Sequence, residues 1–143
     1  MSREFLTWYV GDQIYGLDLE RCKEVEKNLR LTSVPFSKPY IAGIVNLRGD
    51  VVTVIDLRKL LRKETTTYPN VLQIIRLKSS TNQIAIIAEQ IDDILTIDET
   101  QLETAGAHLS EEESYFIEHV VITKKGPLLI IDSNRLISVQ SEN

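Results

Sequence analysis

At 143 residues the chain is long enough to bury a sizeable core, as one domain or as two small subdomains sharing one. Its 43% hydrophobic and 26% charged residues argue against a disordered adaptor. A net charge of −5 supplies no electrostatic footprint for a nucleic-acid backbone, and a single cysteine excludes an intrachain disulfide and favours a reducing compartment.

Phe5 to Val10 and Ile14 to Leu19 are β-rich runs joined by the turn residues Gly11, Asp12 and Gln13, which predicts a first hairpin. Asp18 or Glu20 then leads into residues 21 to 25, where the spacing of Cys22 and Val25 predicts one helical turn that buries both and leaves Lys23 and Glu24 outside. Leu29 to Val34 reads as a strand stopped by Pro35. The centre of the chain is a pair of β-branched runs flanking Gly49 and Asp50. A two-residue loop there sets Arg48 opposite Val51, Asn46 opposite Thr53 and Ile44 opposite Ile55. Val45, Leu47, Val52 and Val54 then form an apolar face, and Ile44, Asn46, Arg48, Val51, Thr53 and Ile55 a mixed one. Asp56 is the expected N-cap of a short helix carrying Leu57, Leu60 and Leu61 on one side. The polar stretch Lys63 to Pro69 is the best candidate boundary between halves.

The second half repeats the style. Asn70 to Leu77 and Gln83 to Ala88 predict strands joined by a polar turn, and Ile91 to Ile97 continues as an apolar run. Ser110 and Glu113 resemble a capping box for a short helix through Ile117. Val120 to Thr123 and Leu128 to Ile131 form a last hairpin that ends in Asp132 and a helical pattern. Gly126 to Asp132 thus echoes Gly49 to Asp56, one residue shorter, and two such units favour two related barrels over a single sandwich.

No catalytic constellation emerges. His108 and His119 lack zinc-ligand spacing with Cys22 or each other, no nucleophile elbow frames a serine, and no glycine-rich phosphate cradle is present. No metal site or cofactor is expected. Trp8 and Tyr9 read as core rather than as a base-stacking stripe, and the cations at 58, 59, 62 and 63 as a solvated helix face. Cys22 reads as a small buried hydrophobe. Arg48 is either a solvated hairpin end or a recognition residue, and Asn46 on its face shifts the balance toward recognition. The N-terminus carries no signal-type apolar region and no run reaches the length of a membrane span, so a cytoplasmic protein without direct membrane insertion is expected.

Gly43-Ile-Val-Asn-Leu-Arg-Gly49, followed by Val51-Val-Thr-Val-Ile-Asp-Leu-Arg58 and Leu60-Leu61, closely resembles the signature of the CheW family of chemotaxis coupling proteins. The likeness extends from Phe5 to Ile137. It implies a mostly β fold of two five-stranded SH3-like barrels sharing a hydrophobic core, with short helices. The first subdomain is expected within residues 15–67, and the second from 68–137 with the N-terminal strand 5–10. The resemblance also implies a non-enzymatic adaptor without a cofactor, joining the cytoplasmic tip of chemoreceptors to the regulatory domain of the histidine kinase CheA in membrane-associated arrays. By position, Arg48, Glu24 and Cys22 match the family's receptor-facing side, with Asn46 beside Arg48, while Leu6 and Ile91 match kinase-facing positions. Thr53 stands where the family commonly has Pro, restoring a backbone donor, and His119 where it often has Gly. A single-stranded nucleic-acid binder and a small hydrolase with an unrecognised site are the competing classes, and charge and missing motifs disfavour both.

Overall fold

The structure, a computed structural model, describes residues 1–62 and 71–139. Its strands are β1 (Ser2–Val10), β2 (Gln13–Asp18), β3 (Cys22–Arg30), β4 (Ile41–Leu47), β5 (Asp50–Ile55), β6 (Val71–Leu77), β7 (Ile84–Ile87), β8 (Gln90–Asp98), β9 (Glu103–Thr104), β10 (Ile117–Thr123) and β11 (Gly126–Ile131). Helix α1 covers Glu111–Tyr115 and α2 covers Ser133–Ser138, with single helical turns at Leu19–Arg21 and Arg58–Arg62. The fold is mostly β, in two sheets of order β3-β6-β7-β5-β4 and β8-β1-β2-β11-β10-β9. The second sheet has a sixth, two-residue strand beyond the expected five.

Strand membership differs from the expected division of the chain. β2 lies in the second sheet, between β1 and β11, while β6 and β7 lie in the first, between β3 and β5. Composition marks the polar stretch at 63–69, which falls outside the described residues, but backbone pairing assigns the strands. A parallel ladder, Leu129 opposite Tyr15, brings β2 to β11, and another, Val54 opposite Ala85, brings β7 to β5.

Alternation along the strands divides the apolar residues into three clusters. Val45, Leu47, Val52, Val54, Leu72, Ile74, Ala85 and Ile87 fill the inside of the first sheet, and Phe5, Ile14, Ile97, Val121, Leu128 and Ile130 the inside of the second. The opposite faces supply Leu6, Trp8, Leu17, Ile55, Ile75, Ile84, Leu129 and Ile131 to a core shared by both sheets. The first sheet curls until Thr32, just past β3, exchanges backbone hydrogen bonds of 2.8 and 2.9 Å with Ile44 on the far edge strand. Gly43 permits that closure, since a Cβ there would lie 2.4 Å from the Thr32 carbonyl oxygen.

The echo between the two halves is a structural repeat. In the first, Ile41 pairs with Ile55 and, past a bulge, Gly43 with Val54; in the second, Ile117 pairs with Ile131 and, past a bulge, His119 with Ile130. The Asp56 N–H donates to the Tyr40 carbonyl and the Asp132 N–H to the Phe116 carbonyl, each just before its repeat's first strand. Each Asp also caps: Asp56 Oδ1 accepts from the N–H groups of Arg58 (2.8 Å) and Lys59 (3.2 Å), and Asp132 Oδ1 from that of Arg135 (3.2 Å). The expected one-residue difference is absent because β5 and β11 both have six residues. Gly49 belongs to a turn, whereas Gly126 opens its strand.

Four local expectations are corrected. The hairpin loop is Arg48-Gly49, so Leu47 faces Asp50, Asn46 faces Val51 and Ile44 faces Thr53. Both loop residues have positive φ, +51° and +88°, the type I′ geometry whose twist suits paired strands. The faces survive because each pairing shifts by two residues, which preserves side-chain parity. Ile55, expected on the mixed face, is buried in the shared core past the bulge. The helical turn precedes Cys22: Asp18 Oδ1 accepts from the Glu20 N–H at 2.9 Å and caps Leu19–Arg21, while residues 22–30 extend as β3. Pairing with β6 outweighs the short helical spacing of Cys22 and Val25. Helix α1 likewise stops at Tyr115, before Ile117 enters β10.

Candidate functional site

The β4–β5 turn projects Arg48 from the end of the first sheet, with its side chain 65% exposed. Asn46 Oδ1 accepts from the Gly49 N–H at 3.1 Å and so stiffens the loop that carries the arginine. Arg48 reaches across to β3, where its Nη1 donates to Glu24 Oε1 at 2.6 Å and its Nη2 to Glu26 Oε1 at 2.5 Å. Glu24 and Glu26 are two apart on one strand and therefore share a face. Behind them lies Arg76 of β6, in register with Glu24 and 2% exposed. Its Nη2 donates to Asp50 Oδ2 at 2.8 Å and to Gln83 Oε1 at 2.6 Å, and its Nη1 lies 3.8 Å from Glu24 Oε2.

Charges thus alternate in a chain from Glu26 through Arg48, Glu24 and Arg76 to Asp50. The Arg48 hydrogen bond holds the Glu24 carboxyl below its ordinary range, and Arg76 does the same for Asp50. The two glutamates in turn raise the Arg48 guanidinium above its usual value. This arrangement presents a directed hydrogen-bonding cation next to carboxylates, a surface suited to recognition.

Of the residues singled out from sequence, Arg48, Glu24 and Asn46 come together here. Cys22 begins β3 on the same edge, half-buried against the shared core, and burial pushes its thiol pKa up, which disfavours the reactive thiolate. Leu6 and Ile91 lie in the other sheet. Leu6 is only 6% exposed and packs in the shared core, so its expected partner-facing side chain is corrected to a core one. Its strand alternates, but both faces of β1 are buried, one inside its own sheet and one against the other. Ile91, opposite Trp8 on β8, is partly exposed at the rim of the same core.

Glu26, Asp50 and Arg76 were missed from sequence. The one available signal was Arg76, a lone charge inside the apolar run Leu72 to Leu77, which needs partners if that run is buried. A smaller counterpart occupies the second sheet, where Lys125 in the β10–β11 turn donates from Nζ to Asp92 Oδ2 of β8 at 2.5 Å. Among the described residues no group of three or more His, Cys, Asp or Glu could hold a metal ion. His108 instead pairs with Glu103 at 3.0 Å, and His119 lies 3.7 Å from Glu118. The Thr53 N–H, available because the position is not Pro, donates to the Gln83 carbonyl at 3.0 Å and helps to dock β5 beside β7.

Two β-sheets packed over a shared core, one of them ending in a turn that carries an exposed arginine paired with two carboxylates, define a double-β class of fold. Residues 4–141 match the CheW-like domain, and the chain belongs to that family. It is 30% identical over 140 residues to the chemotaxis protein CheW of Bacillus subtilis (strain 168), covering 98% of this chain and 90% of that one. It is 23% identical to the chemotaxis protein CheW of Klebsiella aerogenes over 96% of this chain and 83% of the relative. The scaffolding protein TtCheW from Thermoanaerobacter tengcongensis has a similar solved structure, with a TM-score of 0.80 and 26% identity over 92% of this chain and 90% of that one. No helix among the described residues is long and apolar enough to cross a membrane.

Proposed function

We propose that the chain is a cytoplasmic chemotaxis scaffold that couples the cytoplasmic tips of chemoreceptors to the regulatory domain of the histidine kinase CheA. The observation that carries this reading is the exposed guanidinium of Arg48, held at the turn by Asn46 and two carboxylates, in a member of the CheW-like family that resembles the scaffolding protein TtCheW. Its receptor-facing surface comprises Arg48, Asn46, Glu24 and the adjoining edge at Cys22. The kinase-facing surface lies on the second sheet around Ile91, with Ile94, 51% exposed, farther along the same strand. Leu6 supports that surface from beneath. Recruitment to membrane-associated arrays follows from holding both partners at once, and many modest contacts gain strength through multivalency.

The test is co-sedimentation with a receptor-tip fragment and, separately, with a kinase regulatory domain. Arg48→Glu sets a third carboxylate against Glu24 and Glu26, whereas Arg48→Asn keeps a residue that tolerates positive φ. Both variants are expected to lose at least tenfold in receptor affinity while retaining the kinase domain. Unchanged receptor binding by both would refute the assignment. Ile91→Asp is expected to lose the kinase domain selectively.

A further inference from the structure

Arg76 is buried, yet much of its guanidinium is unspent. An arginine offers five N–H donors. The two on Nη2 go to Asp50 Oδ2 and Gln83 Oε1, at 2.8 and 2.6 Å. The Nε–H is buried without a hydrogen-bond partner among the described residues, and Nη1 stands 3.8 Å from Glu24 Oε2, too far for a hydrogen bond. A buried cation with idle donors is costly, so its placement calls for a reason beyond packing. Glu24 meanwhile has its other oxygen, Oε1, on Arg48 at 2.6 Å, with Glu26 and Cys22 beside it on β3. Lys23 acts on Asp50 rather than on Glu24.

A bidentate contact between Arg48 and a partner needs both Nη1 and Nη2, the atoms now spent on Glu24 and Glu26. Glu24, with a side chain only 20% exposed, loses its nearest counter-charge in that exchange, which is costly. Arg76 can replace it. Closing about 1 Å brings Nη1 into hydrogen-bond range of Glu24 Oε2 and leaves both Nη2 bonds in place. We infer that Arg76 is a positioning residue for the Arg48 turn, a reserve counter-charge that takes over Glu24 when Arg48 turns from it to a partner. The inference rests on the receptor reading above. Arg76 is too deeply buried to touch the partner, so its effect passes through Glu24. Without Arg76 the exchange strands Glu24, Arg48 stays on β3, and the receptor tip is held more weakly.

Two measurements on the full chain test this role. In the first, carbon-13 NMR follows the titration of the Glu24 carboxyl, identified by its loss in Glu24→Gln. Arg76→Met is expected to raise the titration midpoint by about half a pH unit more in the Arg48→Asn protein than in the parent, because Arg76 serves Glu24 chiefly once Arg48 is gone. An equal or smaller rise overturns the hand-over. In the second, calorimetry measures receptor-tip affinity. Arg76→Met is expected to weaken it about fivefold with Glu24 present and less than about twofold in the Glu24→Gln protein, with the affinity for a kinase regulatory domain unchanged. A loss of equal size in both backgrounds marks Arg76 as merely structural and overturns the role. Trp8 fluorescence reports folding. Should Arg76→Met fail to fold, Arg76→Lys, whose compact ammonium lacks the reach of the guanidinium fork, carries the same comparisons. Tip affinity lost in Arg48→Asn but unchanged in the Arg76 variants overturns this role and leaves the receptor reading standing. Tip affinity unchanged in Arg48→Asn overturns the receptor reading and this role with it.

Discussion

Leu6→Ala distinguishes a core side chain from a contact side chain. Leu6 is 6% exposed, faces Leu17 across the β1–β2 ladder and packs in the core shared by the sheets. Truncation removes about three methylene equivalents at about 0.8 kcal/mol each, about 2.4 kcal/mol in all. The void left between two sheets that can relax only partly raises the loss to about 3–4 kcal/mol. For 143 residues this corresponds to a fall in melting temperature of about 10 °C. Ile91→Ala, at the rim of the same core, is expected to lose only about 1 kcal/mol. Urea unfolding followed by fluorescence of the single tryptophan, Trp8, which is fully buried in the same core, reads both variants. A Leu6→Ala protein as stable as the parent but unable to hold a kinase regulatory domain would refute the burial reasoning and return Leu6 to the surface.

Three further outcomes are expected. Gly43→Ala sets a Cβ 2.4 Å from the Thr32 carbonyl oxygen, so it should open the first sheet and cost more than about 2 kcal/mol, measured by thermal melting. Asp132→Ala should lose about 1 kcal/mol and Asp56→Ala about 2, because Asp56 is 4% exposed and caps two N–H groups; equal losses in urea unfolding would contradict this ranking. The depressed carboxyls of Glu24 and Asp50 contribute stability that is complete above the ordinary carboxylate range and is lost as pH falls through their lowered folded values. Arg76→Met should remove the Asp50 share of that acid limb in urea titrations and leave most of the Glu24 share, which Arg48 supports; an unchanged slope would remove Arg76 as the source of the Asp50 share.

Local patterns made much of this protein legible. The alternation of Val45, Leu47, Val52 and Val54 identified the inside of the first sheet even though the loop was displaced by one residue, because the displacement kept parity. Asp56 and Asp132 announced their helical turns because capping is a short-range interaction between a side chain and the next few backbone donors. Residues 21–25 misled for the converse reason. A two-point helical spacing is weak, and a long-range ladder with β6 overrode it.

The candidate site divides along the same line. Arg48 and Asn46 belong to one hairpin, whose turn chemistry and mixed face could be read in order along the chain. Glu26, Arg76 and Asp50 joined them only when the sheet curled and set the β3 edge against the β4–β5 turn. The shared core decided that Leu6 is buried and Ile91 reaches the rim, since that depends on a second sheet packing over β1. By itself the sequence determined the repeated units, their caps and the arginine at the turn, all set by contacts between near neighbours. Which strands share a sheet, and which charges meet across its closed edge, were decided by tertiary structure, because distant backbone pairing leaves no periodic trace in the chain.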